Sequence, residues 1–421
     1  MFERSRAHRQ GAALSATDSI VVPQRTASAL PVLSRGRFGF ALAVTAQILM
    51  TVAASAPSPF YPVLAQQIGF NASVISAVFA VYAIALLLTL LTTGSLSDHI
   101  GRRPVAIVGF ALLAVSTLLF WHADAVAILV VARIVQGIAS GLLLSALSAT
   151  VLDFAPAGRT ETAALWNALS PGIGLAVGAL ASGILLDLTR DALADVFAAL
   201  TVIFVAIAVL LFFLPETAPR RPGAWASLSF RISLPPSIRA DFWRNAPAVI
   251  AGWATGGFFL SLGANVVGGE LGGTAHVWQG LVVALLAGVG AVAAFVLRRR
   301  SARTVTIFGT TALATGTALS LVALGSGSLA FYLVAAGITG MGFGTAFSGV
   351  VGSLAPRIPS ADRADTFAVI YLLAYLAFGV PAVVAGLLVG VFGLGAVCVG
   401  YGAVVIVLAL VALVLRVRRA E

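Results

Sequence analysis

The sequence contains no lysine, so all 25 of its basic residues are arginine, set against 15 acidic residues. Charged residues make up only 10% of the chain, whereas about a quarter is usual in a soluble globular domain. Hydrophobic residues reach 60% instead. This scarcity of charge excludes an ordinary soluble protein and predicts a chain embedded in lipid.

Several chemical groups are also missing. The single cysteine, Cys398, excludes an intrachain disulfide framework. No glycine-rich phosphate-binding loop is present, which excludes an ATP-driven pump within this chain. The four histidines lie in tails, loops or span ends, so we predict no metal site, no cofactor and no enzyme active site: they are His8, His99, His122 and His276.

Twelve apolar spans follow the polar N-terminus, and each has about the length that crosses a hydrocarbon core of ~30 Å as a helix. Their uninterrupted apolar character differs from the alternating strands of a membrane barrel. The predicted fold is therefore all-α integral membrane. The spans run over 38–59, 71–93, 104–121, 126–153, 162–186, 193–214, 246–268, 277–297, 304–324, 329–354, 366–389 and 395–415.

The polar segments divide the chain into four regions. Residues 1–37 form an arginine-rich tail that we expect to be disordered and cytosolic, and 215–245 form a cytosolic central loop. Six-helix bundles occupy 38–214 and 246–421. Placing both termini in the cytosol puts 23 of the 25 arginines on that side. The net charge of +10 thus reflects topology in the cytoplasmic membrane and not nucleic-acid binding.

The two bundles repeat each other at a constant offset of 200 residues. Arg103 and Gly109 match Arg303 and Gly309, and the same offset pairs several later positions in spans 4 and 10. Two pseudo-symmetric halves of six spans, joined by a basic loop, resemble the major facilitator superfamily of secondary transporters, including its bacterial drug-type and sugar-type members. The resemblance implies a substrate site at mid-membrane between the halves.

The stretch GSLSDHIGRRP, Gly94 to Pro104, resembles the family's loop between spans 2 and 3. Asp98 and Arg102 are four residues apart and can pair on one helical turn. The resemblance adds an acid at the end of span 4, here Asp153, and the start of span 11 as the facing helix. It predicts a charge latch that holds the halves together on the cytosolic side; its residues are Gly94, Asp98, Gly101, Arg102, Arg103 and Asp153.

Span 4 carries Arg133, Gln136 and Gly137 on one helical face. A buried arginine is costly unless it faces a cavity or a partner. The family's span-four motif has the same Arg-x-x-Gln-Gly form, which implies a role in proton or substrate handling. The alternative is a structural arginine that donates hydrogen bonds to carbonyl groups of a neighbouring span.

Span 5 carries Asn167 and Pro171 on a face with small residues. This face partly resembles the antiporter motif of the family, whereas the alternatives are helix packing or a proline kink. Other polar or aromatic residues are predicted to line the cavity or simply to pack: Gln47, Tyr82, Asn265, Tyr371 and Tyr375. The LPET sequence at 214–217 is expected to carry no chemistry of its own.

No span has an acidic residue near its middle, which argues against a dedicated exporter of organic cations. A neutral, amphipathic or weakly anionic substrate is expected instead, with Asp98, Asp153 and Glu161 as the nearby titratable groups. We predict a monomeric secondary transporter, coupled to protons and operating as an exporter. The alternatives are an uptake symporter or uniporter for a metabolite such as a sugar, or a nontransporting receptor or scaffold.

Overall fold

The computed structural model describes residues 30–156, 158–228, 233–359 and 362–418. Most of the predicted tail, 1–37, lies outside these ranges. Within them the chain is built of helices and contains no β-strand, and twelve helices are long and apolar enough to cross a membrane. The predicted fold class is confirmed.

The membrane-crossing helices, numbered as spans in chain order, alternate with short connections. Span 1 combines Leu30–Ser55, a 3-10 turn at Ser58–Phe60 and Tyr61–Ile68. The others are Ala72–Thr93, Arg102–Trp121, Val126–Asp153, Thr160–Leu188, Ala192–Phe212, Pro236–Asn265, His276–Leu297, Ala302–Gly325, Leu329–Leu354, Arg363–Phe392 and Leu394–Val417.

Side-chain caps set the start of several spans. The side chain of Asn71 accepts a hydrogen bond from the Val74 N–H at 3.2 Å, and Asp191 does the same for Ala194 at 3.1 Å. Such caps satisfy one of the N–H groups that a helix N-terminus leaves without a partner. Polar residues at these positions therefore limit the helices, while the apolar runs between them fix their length.

Helix packing repeats between the halves. In the first half span 2 packs on span 4, span 3 packs on spans 4 and 6, and span 1 packs on span 5. Adding six to each number gives pairs found in the second half, namely 8 with 10, 9 with 10 and 12, and 7 with 11. The halves meet where span 2 packs on span 11 and span 5 packs on span 8.

Two spans are longer than expected. Span 7 begins at Pro236, ten residues inside the predicted central loop, because Ile238 and Phe242 are buried in an apolar cluster with Val350 and Ile370. A proline at the first helical position is compatible with this start. Span 1 continues to Ile68, past the predicted end at residue 59.

The two ends of the molecule differ in charge. One end holds the start of span 3, the end of span 4 and the segment after span 6, together with most of the described arginines; we call it the basic end. The opposite end holds the end of span 5 and the start of span 8, and we call it the distal end. The distal ends of spans 1 and 7 also meet there, where Ser58 donates to the Leu260 carbonyl at 2.8 Å.

Candidate functional site

Arg133 is the largest fully buried side chain among the described residues. Its Nε donates to the hydroxyl oxygen of Tyr61 at 2.8 Å, and its Nη2 donates to the same oxygen. Its Nη1 donates to the Ala54 carbonyl at 3.3 Å and to the side-chain oxygen of Gln136. Span 4 is thereby joined to the distal part of span 1.

No carboxylate in the described ranges pairs with Arg133. Three rings surround its guanidinium instead, with the centroids of Tyr61, Tyr82 and Phe120 at 5.4, 5.4 and 5.3 Å. The ring faces are electron-rich, so cation–π attraction and the hydrogen bonds together offset part of the cost of burying the charge. These contacts are those expected of a structural arginine; a role in proton or substrate handling stays a prediction.

Gln136 and Gly137 strengthen the same packing. Gln136 Nε2 donates to the Ala53 carbonyl on span 1 at 2.7 Å. A Cβ at position 137 would lie 2.6 Å from the carbonyl oxygen of Tyr82 on span 2. Only glycine permits this close approach, so the motif places span 4 tightly between spans 1 and 2.

A second polar group lies in the first half, where spans 1, 4 and 5 meet. Gln47 is buried and its Nε2 is 3.5 Å from Ser148 Oγ, while Asn167 Nδ2 donates to the Ser148 carbonyl at 3.1 Å. The side-chain oxygens of Gln47 and Asn167 have no hydrogen-bond partner in the described part of the chain. Buried acceptors without donors are costly, so these two amides are ready to accept a hydrogen bond from a ligand or water.

Aromatic rings cluster in the second half where spans 7, 10 and 11 meet. Trp253 of span 7 lies 4.9 Å from Tyr375 and 5.3 Å from Phe347, measured between centroids, and Tyr371 lies 6.4 Å from Tyr375. Tyr371 and Tyr375 thus share one face of span 11. The two predicted alternatives for these residues, lining the cavity and simple packing, are both compatible with these contacts.

Of the predicted latch residues, Asp98 and Asp153 lie beside the side chain of Arg102 at the basic end. Its guanidinium pairs with Asp153, lies 3.7 Å from Asp98 and donates to the Ala149 carbonyl at 3.0 Å. All of these groups belong to the first half. Within the described ranges Asp98 makes no ion pair or hydrogen bond with span 11, so the latch across the halves stays a prediction.

Glu216, in the LPET sequence, caps the start of span 3. Its carboxylate accepts hydrogen bonds from the N–H groups of Arg102 at 2.9 Å and Arg103 at 3.1 Å. Gly101 precedes them with a φ of +107°, a conformation that favours glycine, and a Cβ there would overlap this carboxylate. LPET thus has a structural role as a helix cap, and the expectation that it carries no chemistry stays a prediction.

The distal end is closed by contacts between the halves. The Asp187 carboxylate at the end of span 5 accepts the backbone N–H groups of His276 at 2.9 Å and Val277 at 2.8 Å. The ring Nδ1 of His276 lies 2.8 Å from the same carboxylate. Ser73 of span 2 donates to the Gly386 carbonyl of span 11 at 2.8 Å.

The remaining predicted residues lie apart from one another. Glu161 is exposed at the start of span 5, Pro171 lies inside the same helix without ending it, and Gly94 has an ordinary helical φ of −56°. Asn265 is near the distal end of span 7, and its side-chain oxygen is buried without a partner in the described residues. The structure does not bring these four together.

A cavity of about 40 Å³ lies inside the second half and not between the halves. Its walls come from spans 7, 9, 10 and 12 and include Thr255, Thr317, Tyr332 and Tyr401. About 10–15 Å³ is needed for each water molecule, so this space holds a few waters and no drug-sized ligand. This cavity is therefore too small for the substrate, and the amides of the first half and the aromatic cluster of the second stay candidates for contact with it.

Two six-helix halves that repeat the same helix packing define a multi-pass helical membrane protein. The sequence profile of the Major Facilitator Superfamily matches residues 43–304, more than half of the chain. The chain belongs to the major facilitator superfamily.

Individual relatives and structures agree with this membership. The chain is 30% identical over 165 residues to the multidrug resistance protein MdtL of Klebsiella pneumoniae and 27% identical over 158 residues to the multidrug efflux protein YfmO of Bacillus subtilis. These matches span 38% of the chain in each case, and 41% and 39% of the relatives, so the chain covers less than half of their length.

Solved structures show the fold at low sequence identity. A POT family transporter in complex with 5-aminolevulinic acid matches at a TM-score of 0.70 and 16% identity, over 91% of this chain and 97% of that one. The nucleoside transporter NupG matches at a TM-score of 0.65 and 14% identity, over 89% and 99%. At this identity the likeness concerns the fold alone.

Proposed function

We propose that this transporter exports small molecules across the cytoplasmic membrane by alternating access, as a monomer and in exchange for protons. In this proposal the basic end and both termini face the cytosol, in line with the tendency of arginine to collect on that side. The described state then opens toward the cytosol. The closure of the distal end by Asp187, Ser58 and Ser73 is the observation that carries the proposal.

The substrate that fits best is neutral and partly aromatic or apolar. Trp253 and Tyr375 offer ring surfaces, while the oxygens of Gln47 and Asn167 are acceptors without a donor. Arg133 is already surrounded by partners, so it adds little attraction for an anion. A compound with a ring system and at least one hydrogen-bond donor matches both sides.

The protons are expected to act at the charged cluster around Arg102. Asp98 and Asp153 both lie beside this guanidinium, so protonation of either carboxylate weakens its hold on Arg102. Export is further supported by the multidrug resistance and efflux names of the relatives.

Everted membrane vesicles that contain the protein provide the test. When the interior is acidified, we expect neutral aromatic compounds to accumulate inside, and a protonophore to abolish the accumulation. Vesicles without the protein are the control. Accumulation by right-side-out vesicles instead would support the uptake alternative. Substrate accumulation that does not depend on the pH gradient would contradict coupling to protons.

A further inference from the structure

The histidine at the start of span 8 meets a carboxylate of the other half. Its ring Nδ1 lies 2.8 Å from an Asp187 oxygen, and the two Asp187 oxygens also accept backbone N–H groups, from His276 at 2.9 Å and from Val277 at 2.8 Å. An ionised carboxylate has no hydrogen to donate, so Nδ1 carries the shared hydrogen. An additional proton on this ring therefore binds at Nε2.

Water on the distal side can reach this ring. The side chain of His276 is 33% exposed, and Nε2 makes no hydrogen bond with any group in the described ranges. Histidine is the side chain that ordinarily changes its charge between about pH 5 and pH 8, whereas aspartate is ordinarily ionised over this range. Acidification on the distal side thus turns a contact between the halves into an ion pair.

The elements packed against the start of span 8 bring few other charges to it. Just after span 5, Arg190 is exposed and pairs with no described carboxylate, while Asp191 caps the first turn of span 6. At the end of span 7 the Glu270 carboxylate lies beside the first turn of span 12. Span 10 and the Ser58–Phe60 turn carry no charged residue, and the tyrosine of span 10, Tyr332, lines the internal cavity. The contact across the halves therefore responds mainly to the charge of the imidazole itself.

We propose that His276 is a pH sensor for the distal side, and that its protonation at Nε2 strengthens the contact with Asp187 and favours the closed distal end. Charge-assisted hydrogen bonds are stronger than neutral ones, and at partly exposed sites the gain changes an equilibrium constant by about three- to fivefold. The ring stays at the distal end, so the bound proton is not carried across the membrane. The sensor rests on the proposed alternating access, because it acts on an end that must open and close.

Double electron–electron resonance on the full chain in nanodiscs measures the closed and open populations of the distal end. Spin labels at Asp124→Cys in the span 3–4 connection and Ser326→Cys in the span 9–10 connection, with Cys398 replaced by serine, report a distance across the halves. From about pH 8 to about pH 5.5, the ratio of short to long distances should rise about three- to fivefold. A ratio that does not depend on pH would overturn the sensor alone. A single distance population at every pH would overturn it together with the alternating access.

Matched variants separate this histidine from other groups that titrate. His276→Asn keeps a donor close to the position of Nδ1 but cannot gain a charge, so the change in the ratio should fall to less than about 1.5-fold. His122→Asn is the control, because this histidine lies at the same end and its Nδ1 bonds with the Leu118 carbonyl of its own span at 3.0 Å. It should keep the parent pH dependence.

Equal losses in these two variants, or parent pH dependence in His276→Asn, would overturn the proposal. Should His276→Asn fail to fold, Asp187→Asn removes the other charge of the pair and should also abolish the pH dependence. A dependence that survives in Asp187→Asn would overturn the proposal as well.

Discussion

The two ends of this transporter are held by different interactions. At the distal end hydrogen bonds cross between the halves, from Asp187 to the start of span 8 and from Ser73 to span 11. At the basic end the ion pairs between described residues each stay within one half, Arg102 with Asp153 in the first and Arg357 with Asp241 in the second. The distal end can therefore open only by breaking bonds between the halves, whereas the basic cluster can move with its own half.

The hydrogen bonds between the halves at the distal end are individually weak. A neutral hydrogen bond contributes about 0.5–1.5 kcal/mol and one to a charged group about 1.5–3 kcal/mol, with the low end applying at partly exposed sites. Asp187 and His276 are about a quarter to a third exposed, so their bonds belong to the low end. Under the proposed alternating access, a total of a few kcal/mol would let a second state remain populated enough for turnover.

The largest expected effect comes from separating spans 2 and 11. A Cβ at Gly386 would overlap the side chain of Ser76, so Gly386→Leu should force the distal end apart. The labelling experiment uses a background in which Cys398 is replaced by serine and Ala80→Cys on span 2 is the probe. In Gly386→Leu, labelling of this probe by an impermeant maleimide added from the distal side should rise about tenfold or more, since overpacking costs about 1–3 kcal/mol. Transport should fall by at least a similar factor.

Gly390 provides the matched control for that substitution, because it lies one turn along span 11 with no atom within 4 Å of its Cβ position. Gly390→Leu should leave both labelling and transport near the parent values. If Gly386→Leu behaves like Gly390→Leu, spans 2 and 11 do not close the distal end.

Removing the cap between spans 5 and 8 should have the next largest effect. Asp187→Ala deletes three hydrogen-bond acceptor contacts at His276 and Val277, so labelling of the Ala80→Cys probe should rise about three- to tenfold. Asp191→Ala removes a cap at the same end but within one half, and should leave labelling unchanged. A similar rise in both variants would mean that the halves are not held by Asp187.

Arg102→Ala tests whether the basic cluster acts differently from the distal contacts. Its loss frees Asp153 and Asp98, so we expect transport to slow about three- to tenfold while insertion and distal labelling stay within about twofold of the parent. Asp98→Asn should be milder, because its side chain is 55% exposed. Parent transport rates in both variants would contradict the latch prediction.

Sequence reasoning found the helices more readily than the contacts between them. Apolar runs set the span lengths, and the spacing of Asp98 and Arg102 predicted an ion pair that the structure contains. The partners of Arg133 were missed, because Tyr61 lies in an apolar stretch where an aromatic ring looks like ordinary packing. Periodicity within one helix carries no information about which side chain of another helix will reach it.

The bond between Asp187 and His276 was missed for a related reason. The two residues are 89 positions apart, and each alone looks like an ordinary polar end of a span. The packing of span 5 on span 8 in the folded protein brings these two ends together. Predicting this contact therefore requires knowing which spans are neighbours, in addition to the local sequence at each residue.

Glu216→Gln should have the smallest effect, and it tests whether Glu216 acts together with the charge cluster around Arg102. Gln keeps one acceptor oxygen for the N–H groups of Arg102 and Arg103, so the loss of half the cap should cost about 0.5–1 kcal/mol and lower the thermal midpoint by about 1–2 °C. Glu161→Gln, an exposed acid at the same end, should leave the midpoint unchanged. If Glu216→Gln instead slows transport as much as Arg102→Ala, Glu216 acts in transport together with the charge cluster around Arg102 and does not only stabilise the start of span 3.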